Sequence, residues 1–215
     1  MNFKSANKAF KHLYKAISEN GIQFDDTKAI FNCGFYLKKP WKNKINNHVR
    51  NWQLDYAKSE YKWYLSGNRN INKLGEIYGK VPKIWNKMAD YKGNVNSNYG
   101  WQWERKGQLY NVLEKLKNKK ETRHAAISIY DGKEILNYTH DTPCTYAIQF
   151  TIIKNKLNMS VYMRSNDLWF GFCNDQYCFS ELQKMMCNEL KLPMGWYYHH
   201  AHNMHIYNDY LNKKI

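Results

Sequence analysis

The sequence predicts an α+β (α/β layered) fold in which helices flank a mixed, largely antiparallel sheet, and three observations carry that prediction. Through the first half of the chain, apolar residues recur at helical spacing. After Arg123 the pattern changes to the period of strands before one more helix and a last strand. No internal repeat or low-complexity linker interrupts the 215 residues, so a single domain over 1–215 is expected.

Each element has its own signal. Phe3, Ala6, Phe10, Leu13 and Ile17 share one helical face, which Asn20-Gly21 closes. Two short extended pieces follow, at 29–31 and 35–37, and Pro40 ends them. Val49, Trp52, Tyr56, Glu60, Trp63 and Tyr64 line a second helical face up to Gly67, with Glu60 an isolated carboxylate among aromatics. Pro82 suits the first turn of a helix over 83–91. Leu109, Val112, Leu113 and Leu116 form another stripe. Segments 125–130, 146–153 and 157–163 read as strands, the last two joined by a turn at Lys154-Asn155-Lys156. A helix over 176–190 buries Phe179, Leu182, Met186 and Leu190, and 196–207 reads as a final strand.

Composition narrows the function classes. Hydrophobic residues at 43% and aromatics at 16% exclude a disordered chain. No apolar run approaches the roughly 20 residues of a membrane span, so no membrane partner is expected. The N-terminus shows no apolar stretch of secretory type. Five cysteines without paired spacing read as reduced thiols, and a cytoplasmic location is expected. Thirty-three Lys+Arg against 18 Asp+Glu give +15, which favours polyanions. The basic residues are mostly lysines dispersed among Asn and Tyr, so the charge reads as diffuse surface charge. Nucleic acid is therefore not required as a partner.

Four features could carry chemistry. Cys144 follows Thr142-Pro143 and directly precedes a strong strand; to be a nucleophile its sulfur needs a neighbouring cation, Arg123 or Arg164. Arg164-Ser165-Asn166-Asp167 ends a strand and enters a loop, where a guanidinium beside a hydroxyl suits a phosphate and where Asn and Asp equally suit a turn. Asp175, at the mouth of the helix beginning at Gln176, reads either as an N-cap or as a carboxylate facing a ligand's donors. His199, His200, His202 and His205 invite a zinc site. Strand alternation splits them, however, and no nearby Cys or carboxylate completes a ligand set, so no metal is expected.

In chain order these residues resemble the thymidylate synthase/pyrimidine hydroxymethylase family over about 60–207. The segments that carry the resemblance are Glu60-Tyr61-Lys62-Trp63-Tyr64-Leu65, Ile84-Trp85, Asn98-Tyr99-Gly100, Thr122-Arg123, Pro143-Cys144, Gln149-Phe150, Arg164-Ser165-Asn166-Asp167, Phe170-Gly171, Asp175 and His205-Ile206-Tyr207. The resemblance implies a thymidylate-synthase-like fold and an obligate-type homodimer. It implies Cys144 as nucleophile, with Glu60, Asn98, Tyr99 and Asp175 in the catalytic set. It further implies nucleotide binding by Arg164, Ser165, Gln149, His205 and Tyr207, with Arg123 and His124 reaching across from the partner subunit. Ile84, Trp85, Asp167, Phe170 and Gly171 would hold the co-substrate, 5,10-methylenetetrahydrofolate.

One position selects a branch. Thymidylate synthases carry Asn where this chain has Asp175, and a carboxylate accepts from the amino group that distinguishes cytosine from uracil. With the run Asn96-Ser97-Asn98-Tyr99-Gly100-Trp101, this makes the chain similar to the family's phage deoxycytidylate hydroxymethylase branch. The implied substrate is deoxycytidylate (dCMP), and the implied product is the modified cytosine nucleotide of phage-type DNA. Cytidylate or deoxyuridylate enzymes of the same family, methylating or hydroxymethylating, are the nearest alternatives; a basic nucleic-acid-binding relative without catalysis is the alternative of another class.

The departures are informative too. The family's paired arginines read Arg123-His124 here, and Thr145 and Met88 stand where a histidine and a second folate-side tryptophan are usual. The N-terminal phosphate arginine has no match, with Lys38 and Lys39 as substitutes. The chain stops eight residues after Tyr207, where the family continues into a tail that closes over the folate. A site open to water is expected to favour hydroxymethylation over hydride transfer.

Overall fold

The structure, a computed structural model, describes residues 1–138 and 141–215. A short strand, β1 (Asn2–Phe3), leads into α1 (Ala6–Asn20). The hydroxyl of Ser5 caps α1 by accepting from the amide of Lys8, and the helix buries Phe10, Leu13, Tyr14 and Ile17. β2 (Ile22–Phe24) and β3 (Thr27–Leu37) form a hairpin. Four helices follow: α2 (Leu54–Leu65), α3 (Ile71–Tyr78), α4 (Lys83–Met88) and α5 (Tyr99–Glu104). Then come α6 (Gln108–Asn118), β4 (Ala126–Ser128), β5 (Thr145–Ile153), β6 (Lys156–Asp167), α7 (Gly171–Leu190) and β7 (Met194–Tyr207).

The strands form one sheet in the order β1-β3-β7-β6-β5-β4, with β2 paired to β3 off this path. The β1/β3 and β6/β7 pairings are parallel and the other four antiparallel, the mixed and largely antiparallel sheet that the sequence predicts. The β5–β6 hairpin turns on Lys154 and Asn155, both left-handed, which matches the twist of the two strands. One face of the sheet buries Phe35, Phe150, Val161, Met163 and Tyr197, and α1 and α7 pack on it with Phe10, Leu13, Phe172 and Phe179. The register of β5 on β6 slips between Thr145 and Ala147, a bulge immediately after Cys144.

Several local expectations change. Phe3 belongs to β1, not to the first helix, because its backbone pairs beside Leu37. The two extended pieces at 29–31 and 35–37 are one continuous strand, held in unbroken register by β7. Val49 and Trp52 precede the second helix, and the helix after Pro82 stops at Met88. Helices α3 and α5 are too short for periodicity to show; α5 exists because Asn98 caps it and because Gly100 lets it lie against α2. A Cβ at Gly100 would stand 1.6 Å from the carbonyl oxygen of Tyr64. Arg164-Ser165-Asn166-Asp167 does not enter a loop: β6 runs to Asp167, supported by its parallel neighbour β7. The last helix starts at Gly171, not Gln176, so Asp175 lies in its second turn and is not an N-cap.

Candidate active site

Cys144 is half-buried at the entry to β5. On the neighbouring strand the amide of Arg164 donates to the Cys144 carbonyl at 2.8 Å. The Arg164 side chain curls back over the same turn: Nε donates to the Pro143 carbonyl at 3.1 Å and Nη2 to that of Thr142 at 2.8 Å. Nη2 also lies 3.7 Å from the Cys144 sulfur. One guanidinium therefore both fixes the turn that presents the thiol and supplies the cation beside it. Burial pushes the thiol up to about 11; Arg164 acts against this, while Asp175, Asp141 and Asp167 add to it. The resting sulfur is therefore a neutral thiol at neutral pH. Behind it, the hydroxyl of Tyr99 accepts from the amide of Thr145 at 3.2 Å and pins the first residue of the strand.

Glu60 comes from α2, one turn after Tyr56, and is buried. The Tyr56 hydroxyl donates to its Oε1 at 2.8 Å and accepts from Nε1 of Trp85 at 2.8 Å. Burial raises the Glu60 carboxyl to about 8, with the charge of Asp175 adding and the hydroxyls of Tyr56 and Tyr64 opposing. A carboxyl in that range both gives and takes protons near neutrality. Asn98 is occupied otherwise: Oδ1 caps α5 on the Trp101 amide at 2.8 Å and Nδ2 donates to the Asn68 carbonyl at 3.1 Å.

Asp175 meets Asn166 across the junction of β6 and α7, where Nδ2 of Asn166 donates to Oδ2 of Asp175 at 2.7 Å. Burial raises this carboxyl to about 7; Asn166 pulls it down and the charge of Asp167 pushes it further up. Gly171 makes room for the pair, since a Cβ there would stand 3.0 Å from Nδ2 of Asn166 and 3.4 Å from Oδ2 of Asp175. Asp167 ends β6 by accepting from the amides of Trp169 (2.9 Å) and Phe170 (3.0 Å), so it also holds the turn into α7. Its strand partner in β7 is His205, whose Nδ1 lies 2.9 Å from Oδ1 of Asn203. Burial raises Asp167 and lowers His205, and each partly offsets the other.

The chain thus gathers Cys144, Arg164, Asp175, Glu60, Asp167 and Tyr99 into one neighbourhood: Cys144, Glu60 and Tyr99 all feel the charge of Asp175, and Asp175 feels that of Asp167. Ser165 is half-buried between Arg164 and Asn166, and Tyr207 is exposed at the end of β7. Trp85 joins through Tyr56, while its neighbour Ile84 is exposed. Phe170, also exposed, stands edge-on to Tyr210 at 4.9 Å beneath the guanidinium of Arg50 at 5.2 Å. Arg123 and His124 lie exposed before β4, and Gln149 turns its amide onto the Phe150 carbonyl at 2.9 Å. Lys38 is exposed over the ring of Tyr36. Among the described residues no group of three His, Cys, Asp or Glu side chains is placed to hold a metal ion, and no helix is long and apolar enough to cross a membrane.

Sequence reasoning missed Tyr56 as the partner of Glu60, although i−4 spacing on one helix could have found it. It also missed Tyr197 and His199 behind Asn166, a contact that depends on the parallel register of β6 and β7.

A thiol with a cation beside it, a buried acid on a neighbouring helix and a second carboxyl within electrostatic reach of both make a site equipped for covalent group transfer. The sequence profile of the thymidylate synthase family matches residues 8–214, and the chain belongs to this family. Its members transfer one carbon to carbon 5 of a pyrimidine nucleotide and use methylenetetrahydrofolate as co-substrate. Deoxycytidylate 5-hydroxymethyltransferase of Enterobacteria phage T4 is 36% identical over 176 residues, covering 76% of this chain and 68% of that protein. Thymidylate synthase of Vesicomyosocius okutanii subsp. Calyptogena okutanii is 29% identical over 184 residues, with 82% and 67% covered. Thymidylate synthase of Buchnera aphidicola subsp. Acyrthosiphon pisum (strain APS) is 29% identical over 219 positions, with 95% and 80% covered.

Proposed function

We propose that this chain catalyses folate-dependent 5-hydroxymethylation of deoxycytidylate. The observation that carries the reading is Asp175, a half-buried carboxylate within electrostatic reach of both Cys144 and Glu60, at the position where the resemblance places an amide in thymidylate synthases. A carboxyl at about 7 accepts from an exocyclic amine and shares a proton with a ring nitrogen, which is the donor–acceptor order of cytosine.

In this reading Sγ of Cys144 adds to carbon 6 of the pyrimidine and makes carbon 5 nucleophilic. Arg164 and Ser165 hold the phosphate, and the approach of Arg164 to Sγ favours the thiolate. Glu60 orients the water that becomes the hydroxyl and takes up its proton. Carbon 5 would give up its proton as the one-carbon unit parts from its carrier amine, the water would add to that carbon, and expulsion of the Cys144 sulfur would then restore the ring. His205 and Tyr207 hold the sugar.

The residues present fit a folate. Ile84 and Phe170 expose apolar surface of the kind a flat ring covers. The Asp167 carboxylate stands at the turn into α7, where it accepts from the amides of Trp169 and Phe170. When bound, methylenetetrahydrofolate supplies a one-carbon unit at the oxidation level of formaldehyde. Ile84, Trp85, Asp167, Phe170 and Gly171 would hold it.

The working unit in this reading is a homodimer of single-domain chains. The sheet face away from α7 carries Tyr36, Trp196, Tyr198, Tyr162 and His200, with Tyr36 and Tyr198 centroids 4.8 Å apart and Tyr162 and Tyr198 6.2 Å apart. A second copy would cover this aromatic face and bring its Arg123 and His124 to the phosphate, which agrees with their exposure here.

Incubation with methylenetetrahydrofolate and, separately, dCMP, cytidylate and deoxyuridylate, with products weighed by mass spectrometry, tests the proposal. Hydroxymethyl-dCMP is the expected product; modification of deoxyuridylate alone, or a methylated product, would overturn it.

A further inference from the structure

Behind Asp175 runs a buried chain of side chains for which the reaction outlined above has no use. The Tyr197 hydroxyl lies 2.8 Å from Nδ1 of His199, Nε2 of His199 lies 3.1 Å from Oδ1 of Asn166, and Nδ2 of Asn166 lies 2.7 Å from Oδ2 of Asp175. Tyr197 and His199 are fully buried, and Asn166 is 3% exposed.

The chemistry of the four groups sets the direction of every bond. Asn166 donates to the carboxylate through its amide nitrogen, so its oxygen is left to accept. Nε2 of His199 must then carry the proton. The ring is neutral, because burial lowers its pKa to about 3, and Nδ1 is therefore an acceptor. Only the Tyr197 hydroxyl can donate to it. The sequence of donations is Tyr197 to His199 to Asn166 to Asp175. Phe35, stacked on the imidazole at 5.2 Å, and Phe172, edge-on at 5.3 Å, hold the ring in plane for it.

We propose that Tyr197, His199 and Asn166 are positioning residues that lock Oδ2 of Asp175 as an acceptor and so fix the donor–acceptor order that the carboxyl shows to a pyrimidine edge. An amide free to rotate could present its oxygen instead. Oδ2 would then give the carboxyl's one proton to that oxygen and leave Oδ1 only to accept, which suits the ring N–H of uracil and not the bare ring nitrogen of cytosine. Cytosine offers acceptor and donor in one order at its ring nitrogen and position 4, and uracil in the opposite order. The lock therefore discriminates between them, where an unlocked carboxyl would serve both. This rests on Asp175 reading the base.

Other groups around Asp175 enter any titration. Glu60 and Tyr64 face it from α2, Tyr99 from α5, Cys144 from the entry to β5, Asp167 from β6, Cys173 and Cys178 from α7, and Tyr197 from β7. The test therefore compares variants that leave all these groups except Tyr197 in place.

In the ligand-free protein, nitrogen-15 spectra should show His199 as the Nε2–H tautomer. The carbon-13 resonance of the Asp175 carboxyl should titrate at higher pH in Tyr197→Phe, because a slackened Asn166 donates less well. With substrates, Tyr197→Phe and His199→Phe should lower the preference for dCMP over deoxyuridylate about tenfold, the worth of one hydrogen bond. His199→Gln, whose Nε2 can still donate to Asn166, should restore much of it. An Nδ1–H tautomer, or an Asp175 titration unmoved in Tyr197→Phe, would overturn the lock. A moved titration with an unchanged preference would overturn its role in discrimination. If the protein modifies only deoxyuridylate while the spectra behave as expected, the proposed substrate fails and the lock stands.

Discussion

Nη2 of Arg164 stands 3.7 Å from the sulfur of Cys144 while the same guanidinium clasps the carbonyls of Thr142 and Pro143. The thiol and the cation beside it are thus held as one unit spanning two neighbouring strands. Arg164→Gln should push the thiol above its present value near 11 and slow alkylation of Cys144 at fixed pH by roughly tenfold, the effect of about one pKa unit. Rates of iodoacetamide labelling against pH measure this. Cys144→Ser should abolish turnover while leaving the melting temperature within a few degrees.

Asp175→Asn should move preference toward deoxyuridylate by roughly 10–100-fold in the ratio of kcat/KM values, since an amide meets the uracil edge without an ionisable proton. A ratio that stays where it was would remove Asp175 from base reading.

Tyr56→Phe takes a donor from Glu60 and an acceptor from Trp85. That hydrogen bond stabilises the ionised carboxylate, so its loss raises Glu60 above about 8. The limb of the kcat–pH profile that follows Glu60 should move to higher pH, with KM for the nucleotide little changed.

Stability should respond to pH from both sides. Glu60 and Asp175 have folded pKa values of about 8 and 7, above their ordinary values of 4.5 and 3.8, so the stability that they contribute is complete below about 4 and is lost as pH rises toward 8. Glu60→Gln should accordingly gain melting temperature relative to the parent as pH rises from 5 to 8. His199 has the opposite sign: its pKa of about 3 lies below 6.5, so its contribution is present above 6.5 and is lost as pH falls toward 3. His199→Phe should flatten the acid limb. Thermal melts across pH check both.

Arg123→Ala and Cys144→Ser should each be inactive alone if Arg123 serves the partner's site. Mixed and re-equilibrated, they should recover up to about a quarter of parental activity, because half the dimers are hybrids with one intact site of two. No recovery would place Arg123 outside the partner's site.

Gly100→Ala should destabilise the protein by about 1–3 kcal/mol or more, because the new Cβ would overlap the Tyr64 carbonyl and force α5 away from α2. The resulting shift of Tyr99 should slow Cys144 chemistry as well, which a paired melt and assay would show.

Much of this was legible in one dimension. The period change after Arg123, the β5–β6 hairpin and the stripes of α1, α6 and α7 follow from side-chain spacing, because helices and strands bury alternate sets of residues. Cys144, Glu60 and Asp175 stood out as chemically unusual among their neighbours. What spacing could not reach were short elements stabilised from outside: α3, α5, and the extension of β6 through Asp167, which the pairing with β7 decides. Asp175 passed from helix mouth to second turn for the same reason.

The sequence by itself determined which groups could react, since a thiol, a guanidinium and buried-type acids are properties of residues. Only the tertiary structure decided their states. Arg164 faces the sulfur because β6 pairs beside the entry to β5, and Asn166 is aimed at Asp175 because His199 stands behind it on the parallel strand. Proton affinity and hydrogen-bond direction depend on burial and on partners distant along the chain, and those exist only once the chain has folded.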